Sequence, residues 1–326
     1  MRPPSILPVL VAIAGAPLAA PAGVAQVRTI AITIDDLPAV GPSSLAEART
    51  LTRRLVAGLQ RARVPAVGFV NAHQGELHAD SAGWAGLLAP WLDAGLELAN
   101  HTWSHRSLST TPLDAWLADA DRGAAPVAAA LAVRGKRLRW FRHPYLHTGP
   151  TPAIRDSVLR HLAARGQRIA PVTAGHFDWL YAAAYDSALR RGDRGRARRV
   201  ADAWASHLDA DLAAAERLTE RVTGRVIPQV LLLHANPLIA GELEGTLAVL
   251  RRRGYALVSL DAALADPAWA AGDPYAGPAT LAWPARWAWA RDGCAPAPPS
   301  PHGWVAALAA LPVSPPPPCD GPARLP

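Results

Sequence analysis

Seven short apolar runs alternate along this chain with longer amphipathic stretches, and this alternation restricts the fold more than any other feature. The runs occupy residues 29–34, 66–70, 96–99, 138–141, 169–172, 226–233 and 256–260. Each run is too short and too apolar for a surface helix, which favours a buried strand. Strands and helices repeated in this order predict an α/β fold with a parallel sheet. A count of about seven strands favours a distorted (β/α) barrel, closed or incomplete, over an open sheet.

The stretches between the runs carry helical signals. Ser44 and Glu47 fit a capping box, and Leu51, Leu55 and Leu59 follow at the four-residue spacing of one helix face. Further helices are predicted over residues 81–94, 112–132, 152–164, 195–222 and 242–253.

The N-terminus resembles an export signal, which we assign to residues 1–25. Arg2 precedes an apolar stretch over residues 6–20, and small residues follow before the expected cleavage site. The stretch is short for a bilayer span and contains Pro8 and Pro17, so no stable membrane anchor is expected after cleavage. The protein is therefore predicted to be exported, either periplasmic or secreted, with a catalytic domain over residues 26–265.

Residues 266–326 form an irregular C-terminal extension that is rich in proline and tryptophan. We predict an extended wrap followed by a flexible tail. Trp283, Trp287 and Trp289 either line a sugar site or pack beneath the domain. In an oxidising compartment Cys294 and Cys319 either pair or remain thiols.

The net charge of +7 has two interpretations. It either attracts the protein to acidic envelope polymers or reflects a composition biased towards alanine, arginine, glycine and proline. No basic run with interleaved aromatic residues occurs, so nucleic acid is not an expected partner.

Reactive side chains recur where the predicted strands end. They are Asp35, Asp36, His101, Arg142, Asp178 and His234. The carboxyl ends of parallel strands form the functional face of α/β folds, so these side chains are expected to meet. Taken singly, each has a plainer explanation, such as a turn, a helix cap or a satisfied core histidine. Their joint occurrence on one face favours a functional site.

Asp36, His101 and His105 are the candidate metal ligands. In a helical turn, imidazoles four residues apart point the same way. Two histidines and one carboxylate leave a coordination position open for water, as in catalytic zinc sites. The pattern therefore indicates a metal-dependent hydrolase.

Five motifs identify the chain as similar to the polysaccharide deacetylases of the NodB-homology type, the family-4 carbohydrate esterases. In chain order they are Thr33-Ile34-Asp35-Asp36, His101-Thr102-Trp103-Ser104-His105, Arg142-His143-Pro144-Tyr145, Gly175-His176-Phe177-Asp178-Trp179 and Leu231-Leu232-Leu233-His234. The resemblance implies the barrel of that family. Three departures bear on groove shape and substrate choice: Gly175 replaces a usual Asp, Leu146 a common Gly, and His143 a common Pro.

The resemblance also implies roles for individual residues. Asp36, His101 and His105 would bind a divalent metal, usually zinc. Asp35 would be the general base, fixed by Arg142.

The remaining implied roles concern the leaving group and the acetyl group. His234 would be the general acid, supported by Asp178. The backbone N–H of Tyr145 would face the oxyanion, and Trp179 and Leu232 would form a pocket for the acetyl methyl.

The implied activity is the removal of acetyl groups from an N-acetylated glycan, either a chitin oligomer or a peptidoglycan-like polymer. Two alternatives remain open. The same site could act as an O-acetyl esterase or as another amidase on a non-peptide C–N bond. A protein that binds glycan without catalysis, through the tryptophan-rich C-terminal segment, is the third interpretation.

Overall fold

The computed structural model describes residues 27–42, 44–73 and 81–311. The predicted export signal, the last fifteen residues of the C-terminal tail and Cys319 lie outside these ranges.

In the described residues seven parallel strands form one sheet, and each of the seven predicted runs overlaps one of them. The strands are β1 (Arg28–Leu37), β2 (Val67–Val70), β3 (Glu97–Asn100), β4 (Trp140–Phe141), β5 (Arg168–Ile169), β6 (Gln229–His234) and β7 (Tyr255–Leu257). Their order is β5-β4-β3-β2-β1-β6, and β7 pairs with the first residues of β1. The middle of β1 is buried on both faces, because helices cover one face of the sheet and the barrel interior covers the other. This double burial explains why the strands are continuous apolar runs.

The chain that follows β5 returns to β6 and brings the two ends of the sheet together. The Thr173 N–H donates to the Val230 carbonyl at 2.9 Å, and the Leu232 N–H donates to the Ala174 carbonyl at 2.9 Å. Among the described residues, these two segments form a single β-bridge, between Ala174 and Leu231, and no continuous ladder. The sheet is therefore a distorted and incompletely closed (β/α) barrel, as predicted.

Helices connect the strands and cover the sheet. They are α1 (Leu45–Arg61), α2 (Ser81–Asp93), α3 (Leu113–Ala132), α4 (Pro152–Ala164), α5 (Asp178–Arg190), α6 (Arg194–Thr223), α7 (Pro237–Arg252), α8 (Leu260–Leu264), α9 (Trp283–Asp292) and α10 (Gly303–Ala309). The Ser44 hydroxyl accepts from the Glu47 N–H at 3.3 Å, so the predicted cap begins α1. Helix α5 was not predicted from the sequence, because Phe177 at its start is left-handed and supplies no side-chain cap. Within the described ranges, no helix has both the length and the apolar character needed to cross a bilayer.

The C-terminal extension is less extended than predicted, because it contains α9 and α10. Proline suits the first turn of a helix, and Pro284 occupies that place in α9. Trp283 and Trp287 are buried against Ile227, and Trp289 is partly buried. The first two rings therefore pack under the domain, which is one of the two interpretations of the tryptophans, and leave little surface for a sugar.

Candidate active site

The carboxyl ends of β1, β3, β4 and β6 meet at one edge of the barrel. Asp35 lies opposite His234 in the register of β1 and β6. Asn100 lies opposite Phe141 in the register of β3 and β4, which brings the residues that follow them, His101 and Arg142, side by side. The predicted meeting of polar residues from separate segments is therefore present.

An irregularity near the end of β1 turns both of its carboxylates towards this edge. Successive side chains of a regular strand point to opposite faces. The register of β1 against β2 shifts between Ile34 and Leu37, and Asp36 has a left-handed φ of 59°. Such a bulge re-aims a side chain. Asp35 and Asp36 therefore both approach His101.

Asp36, His101 and His105 lie close enough to hold one metal ion. Their candidate ligand atoms all lie within 4.8 Å of one another. Asp36 Oδ1 is 3.7 Å from His101 Nε2 and 3.5 Å from His105 Nε2. Tetrahedral ligands about 2.1 Å from zinc stand about 3.4 Å apart. The group therefore needs little movement to bind an ion.

The histidine pair does not lie on a helix, and the predicted helical turn is wrong. Residues 101–106 form a loop in which Thr102 and His105 have left-handed φ values of 67° and 55°. The Thr102 hydroxyl accepts from the His105 N–H at 3.1 Å, which closes a tight turn. The two rings still meet, with centroids 4.8 Å apart.

The protonation of these three side chains fits metal binding. Burial lowers the pKa of His101 to about 3, so its ring is neutral. Its Nδ1–H donates to the Arg142 carbonyl at 2.8 Å, which leaves the Nε2 lone pair for a cation. Burial would raise the pKa of Asp36, but His105 and His101 outweigh it and lower that pKa. Asp36 Oδ1 is buried and has no hydrogen-bond partner among the described residues. A bound cation would give this oxygen the polar contact that a buried oxygen requires.

Asp35 is almost completely buried, with 2% of its surface exposed. Burial raises its pKa to about 6, and the nearby Arg142 guanidinium opposes that rise. Arg142 Nη1 lies 3.5 Å from Asp35 Oδ2, and Arg142 Nη2 donates to the Thr33 hydroxyl at 3.0 Å. The guanidinium also lies over the Phe69 ring, 4.5 Å from its centroid. Arg142 is thus held in place beside a carboxylate that can titrate close to neutral pH.

His234, which is partly buried, and Asp178, which is fully buried, form a dyad. His234 Nδ1 lies 2.6 Å from Asp178 Oδ1, and the His234 backbone N–H donates to Asp178 Oδ2 at 2.8 Å. The Asn236 side-chain amide donates to the same oxygen at 3.1 Å. Burial would lower the pKa of His234, but the Asp178 carboxylate outweighs it and raises that pKa to about 9. His234 is therefore a cation at neutral pH.

The structure does not pair Leu232 with Trp179 in one apolar cluster. Leu232 packs with Leu146 and Val172 instead. The Trp179 side chain is 39% exposed and stands at the surface. Tyr145 is also exposed, and its ring lies 4.6 Å from that of His105. Leu146, which replaces a common Gly, therefore packs against Leu232 where Trp179 was expected.

The glycine in the fourth motif is required by the backbone. Gly175 has a φ of +110°, and a Cβ there would stand 1.9 Å from the Leu232 carbonyl oxygen. No aspartate can occupy this position without moving β6. The Asp211 carboxylate, from α6, accepts instead from the Gly175 N–H at 2.7 Å and contacts His176 Nδ1 at 2.9 Å.

His143, the third departure, points into the core rather than into a groove. It is 2% exposed, and its ring is stacked on Trp116 with centroids 5.5 Å apart. Burial lowers its pKa well below the ordinary value, so it packs as a neutral ring.

Three polar residues that support the site carry no role predicted from the sequence. The Thr33 hydroxyl links Arg142 to the Leu231 carbonyl, to which it donates at 2.8 Å. Asn71 hydrogen-bonds the Asp36 carboxylate and helps lower its pKa. Asn236 holds Asp178. Thr33 lies within a predicted strand, Asn71 directly follows one, and Asn236 lies three positions after the end of another, and this placement was the only available signal.

Comparison with known proteins agrees with the motifs. Residues 22–169, which contain the first three motifs, match the family described as polysaccharide deacetylase. Over these residues the chain is similar to the polysaccharide deacetylases. No curated protein matches the chain.

Solved structures similar to the chain include three carbohydrate esterase family 4 proteins. One is a mutant of a pseudoenzyme from Bacillus anthracis with restored enzymatic activity, with 18% identity and a TM-score of 0.47 over 73% of this chain and 68% of that chain. A second is a family 4 carbohydrate esterase from Streptomyces lividans in complex with acetate, with 19% identity and a TM-score of 0.46. The match covers 72% of this chain and 95% of that chain. The third is a family 4 acetyl xylan esterase from Clostridium thermocellum, with 21% identity and a TM-score of 0.46. The match covers 73% of this chain and 91% of that chain.

Proposed function

We propose that the protein is a metal-dependent hydrolase that removes acetyl groups from an N-acetylated glycan. The observation that supports this proposal is that three kinds of group meet at one edge of the barrel. They are a titratable carboxylate, a trio of candidate metal ligands and a cationic histidine. Asp35, the trio and His234 supply a base, a metal site and an acid. Metal-dependent hydrolysis of an amide uses all three.

Asp36, His101 and His105 are the residues that would hold the metal, and zinc is the expected ion because its usual ligands are neutral imidazole and carboxylate. A bound zinc ion would act as a Lewis acid and favour ionisation of water at neutral pH. The protein's part is to keep both imidazoles neutral and the carboxylate ionised, as their burial and mutual contacts do.

Asp35 is proposed to take the proton from the attacking water. A general base works best when its pKa lies near the working pH, and a pKa of about 6 meets this condition. The water oxygen bonds to the acetyl carbon, and the tetrahedral oxyanion would face the backbone N–H of Tyr145. The Leu146, Val172 and Leu232 cluster offers an apolar surface for the methyl group.

His234 is proposed to donate the proton that the leaving amine requires. Its Nδ1 faces Asp178, so the Nε2–H is the donor available to substrate. As the C–N bond breaks, the amine takes this proton and acetate is released. The second proton of the attacking water leaves as the new carboxylic acid ionises to acetate. Asp35 then loses to solvent the proton it gained, and His234 regains from solvent the proton it donated, which restores both residues.

Acetate release from a panel of chitin oligomers, peptidoglycan and acetylxylan tests the proposal. Release from an N-acetylated glycan supports it. Release from acetylxylan alone would identify an O-acetyl esterase, since the same base and acid also serve an ester. Glycan retention without acetate, persisting after the metal is stripped, would identify a binding protein.

Replacement of Asp178 by asparagine is expected to change the pH profile. The acid form of His234 is lost as pH rises through its pKa, so wild-type activity should decline only near pH 9. Without the carboxylate the imidazolium loses its counter-charge, so its pKa falls and the alkaline limb moves to lower pH. Rates measured between about pH 6 and pH 10 test this. An unchanged limb would contradict the role of Asp178.

We also propose export to the periplasm or the medium, on the grounds of the leader over residues 1–25. Fractionation of cells that express the full chain, with determination of the mature N-terminus, tests this proposal. An uncleaved cytosolic protein would contradict it.

A further inference from the structure

The loop that carries Tyr145 has an unfavourable backbone. Tyr145 and Leu146 are consecutive left-handed residues, with φ values of 57° and 56°. This region is costly for residues that have a Cβ, and doubly so for two in succession. Such a conformation persists only where its surroundings impose it. The residues that impose it therefore also set the position of the Tyr145 N–H.

Arg286 of α9, which lies 140 positions after Leu146 in the sequence, hydrogen-bonds this loop. Its guanidinium is fully buried, donates to the Leu146 carbonyl, and donates to the Thr148 hydroxyl at 2.9 Å. It also donates to the Leu281 carbonyl at 2.8 Å and pairs with the buried Asp273 carboxylate. The planar guanidinium thus connects two positions of the loop to the C-terminal extension.

The extension holds the loop at two further points. His147 is hydrogen-bonded to the Thr280 hydroxyl at 3.1 Å. The Gly277 N–H donates to the Gly149 carbonyl at 2.9 Å. These contacts come from one continuous segment, which lies beyond the residues that match the deacetylase family. They make the extension a support of the loop that carries Tyr145.

We propose that Arg286 is a positioning residue that fixes the Tyr145–Thr148 loop for catalysis from the C-terminal extension. The kinetic half of this inference rests on the proposed deacetylation. A guanidinium can hold the Leu146 carbonyl, the Thr148 hydroxyl and Asp273 at once because its five N–H groups point in fixed directions. A lysine ammonium keeps the charge beside Asp273 but cannot reach all three.

The test compares wild type with Arg286→Lys and with Thr148→Val, which removes one contact while leaving the buried ion pair intact. Arg291→Lys, an exposed change in the same helix, is the matched control. Hydrogen–deuterium exchange of the segment 144–149 and the kcat and KM for acetate release are measured on the full chain. We expect Arg286→Lys to exchange at least about tenfold faster in this segment. We expect its kcat to fall about tenfold to a hundredfold with KM nearly unchanged, because a displaced donor affects the transition state more than binding.

Thr148→Val should change both quantities in the same direction by less, and Arg291→Lys should change neither. If Arg286→Lys does not fold, Thr148→Val decides. The inference is overturned if the loop of the variant exchanges at the wild-type rate. It is also overturned if the loop exchanges faster but kcat is unchanged, or if only KM changes. A wild type that releases no acetate from any substrate refutes the proposed function instead, and exchange alone then decides whether Arg286 holds the loop.

Discussion

Asp35→Asn should lower kcat for acetate release by about a thousandfold, since a positioned general base contributes 10²–10⁴. The amide has nearly the shape of the carboxylate but cannot accept the proton of the attacking water. Metal affinity should be preserved, because the three ligand side chains are untouched. Acetate assays and calorimetric zinc titration of the same preparation separate the two effects.

The matched control for Asp35→Asn is Asp186→Asn, which removes a carboxylate from the surface of α5 where it pairs with Arg190. Its kcat should equal that of wild type. Turnover of Asp35→Asn at the wild-type rate would show that another group accepts the proton.

Asp36→Ala should abolish both zinc binding and activity. Asp36 supplies the one carboxylate of the trio, and its Oδ1 lies 3.5 Å from one imidazole and 3.7 Å from the other. Zinc at 100 times its dissociation constant should stabilise wild type by about 2.7 kcal/mol. The variant should show no such rise in melting temperature. A chelator should abolish acetate release by the wild-type protein, and added zinc should restore this activity.

Asp178→Asn provides the comparison for the metal experiment, because it impairs the acid dyad while leaving the trio intact. It should bind zinc and gain thermal stability like wild type. Equal zinc affinity in Asp36→Ala and wild type would remove Asp36 from the metal site.

The sequence was sufficient for the sheet and for the face of the site. The strands are buried on both faces, so each appears as an unbroken apolar run, and polar residues after such runs mark the carboxyl edge. Asp35, His101, Arg142 and His234 were therefore predictable as neighbours from the sequence alone.

Local backbone geometry was not predictable in the same way. The His101–His105 spacing is compatible with a helical turn, yet Thr102 and His105 are left-handed and the segment is a loop. A left-handed residue that has a Cβ leaves no compositional mark. The helix that begins at Asp178 was missed for a related reason, because its start has no side-chain cap.

Long-range supports were also beyond the sequence. Thr33 is the first residue of a motif, but its contact with Arg142 depends on how β1 packs against the loop after β4. Arg286 belongs to a segment whose proline and tryptophan content predicted only a wrap. Contacts between distant segments follow from packing, which no local pattern records.

The burial of Trp283 and Trp287 on Ile227 limits where the polypeptide can be shortened. A fragment that stopped after β7 would uncover this apolar floor and lose the hydrogen bond from the Trp283 N–H to the Val172 carbonyl, which measures 2.8 Å. Exposed apolar surfaces of this kind promote aggregation. A shortened form of the protein should therefore retain the polypeptide through Asp292.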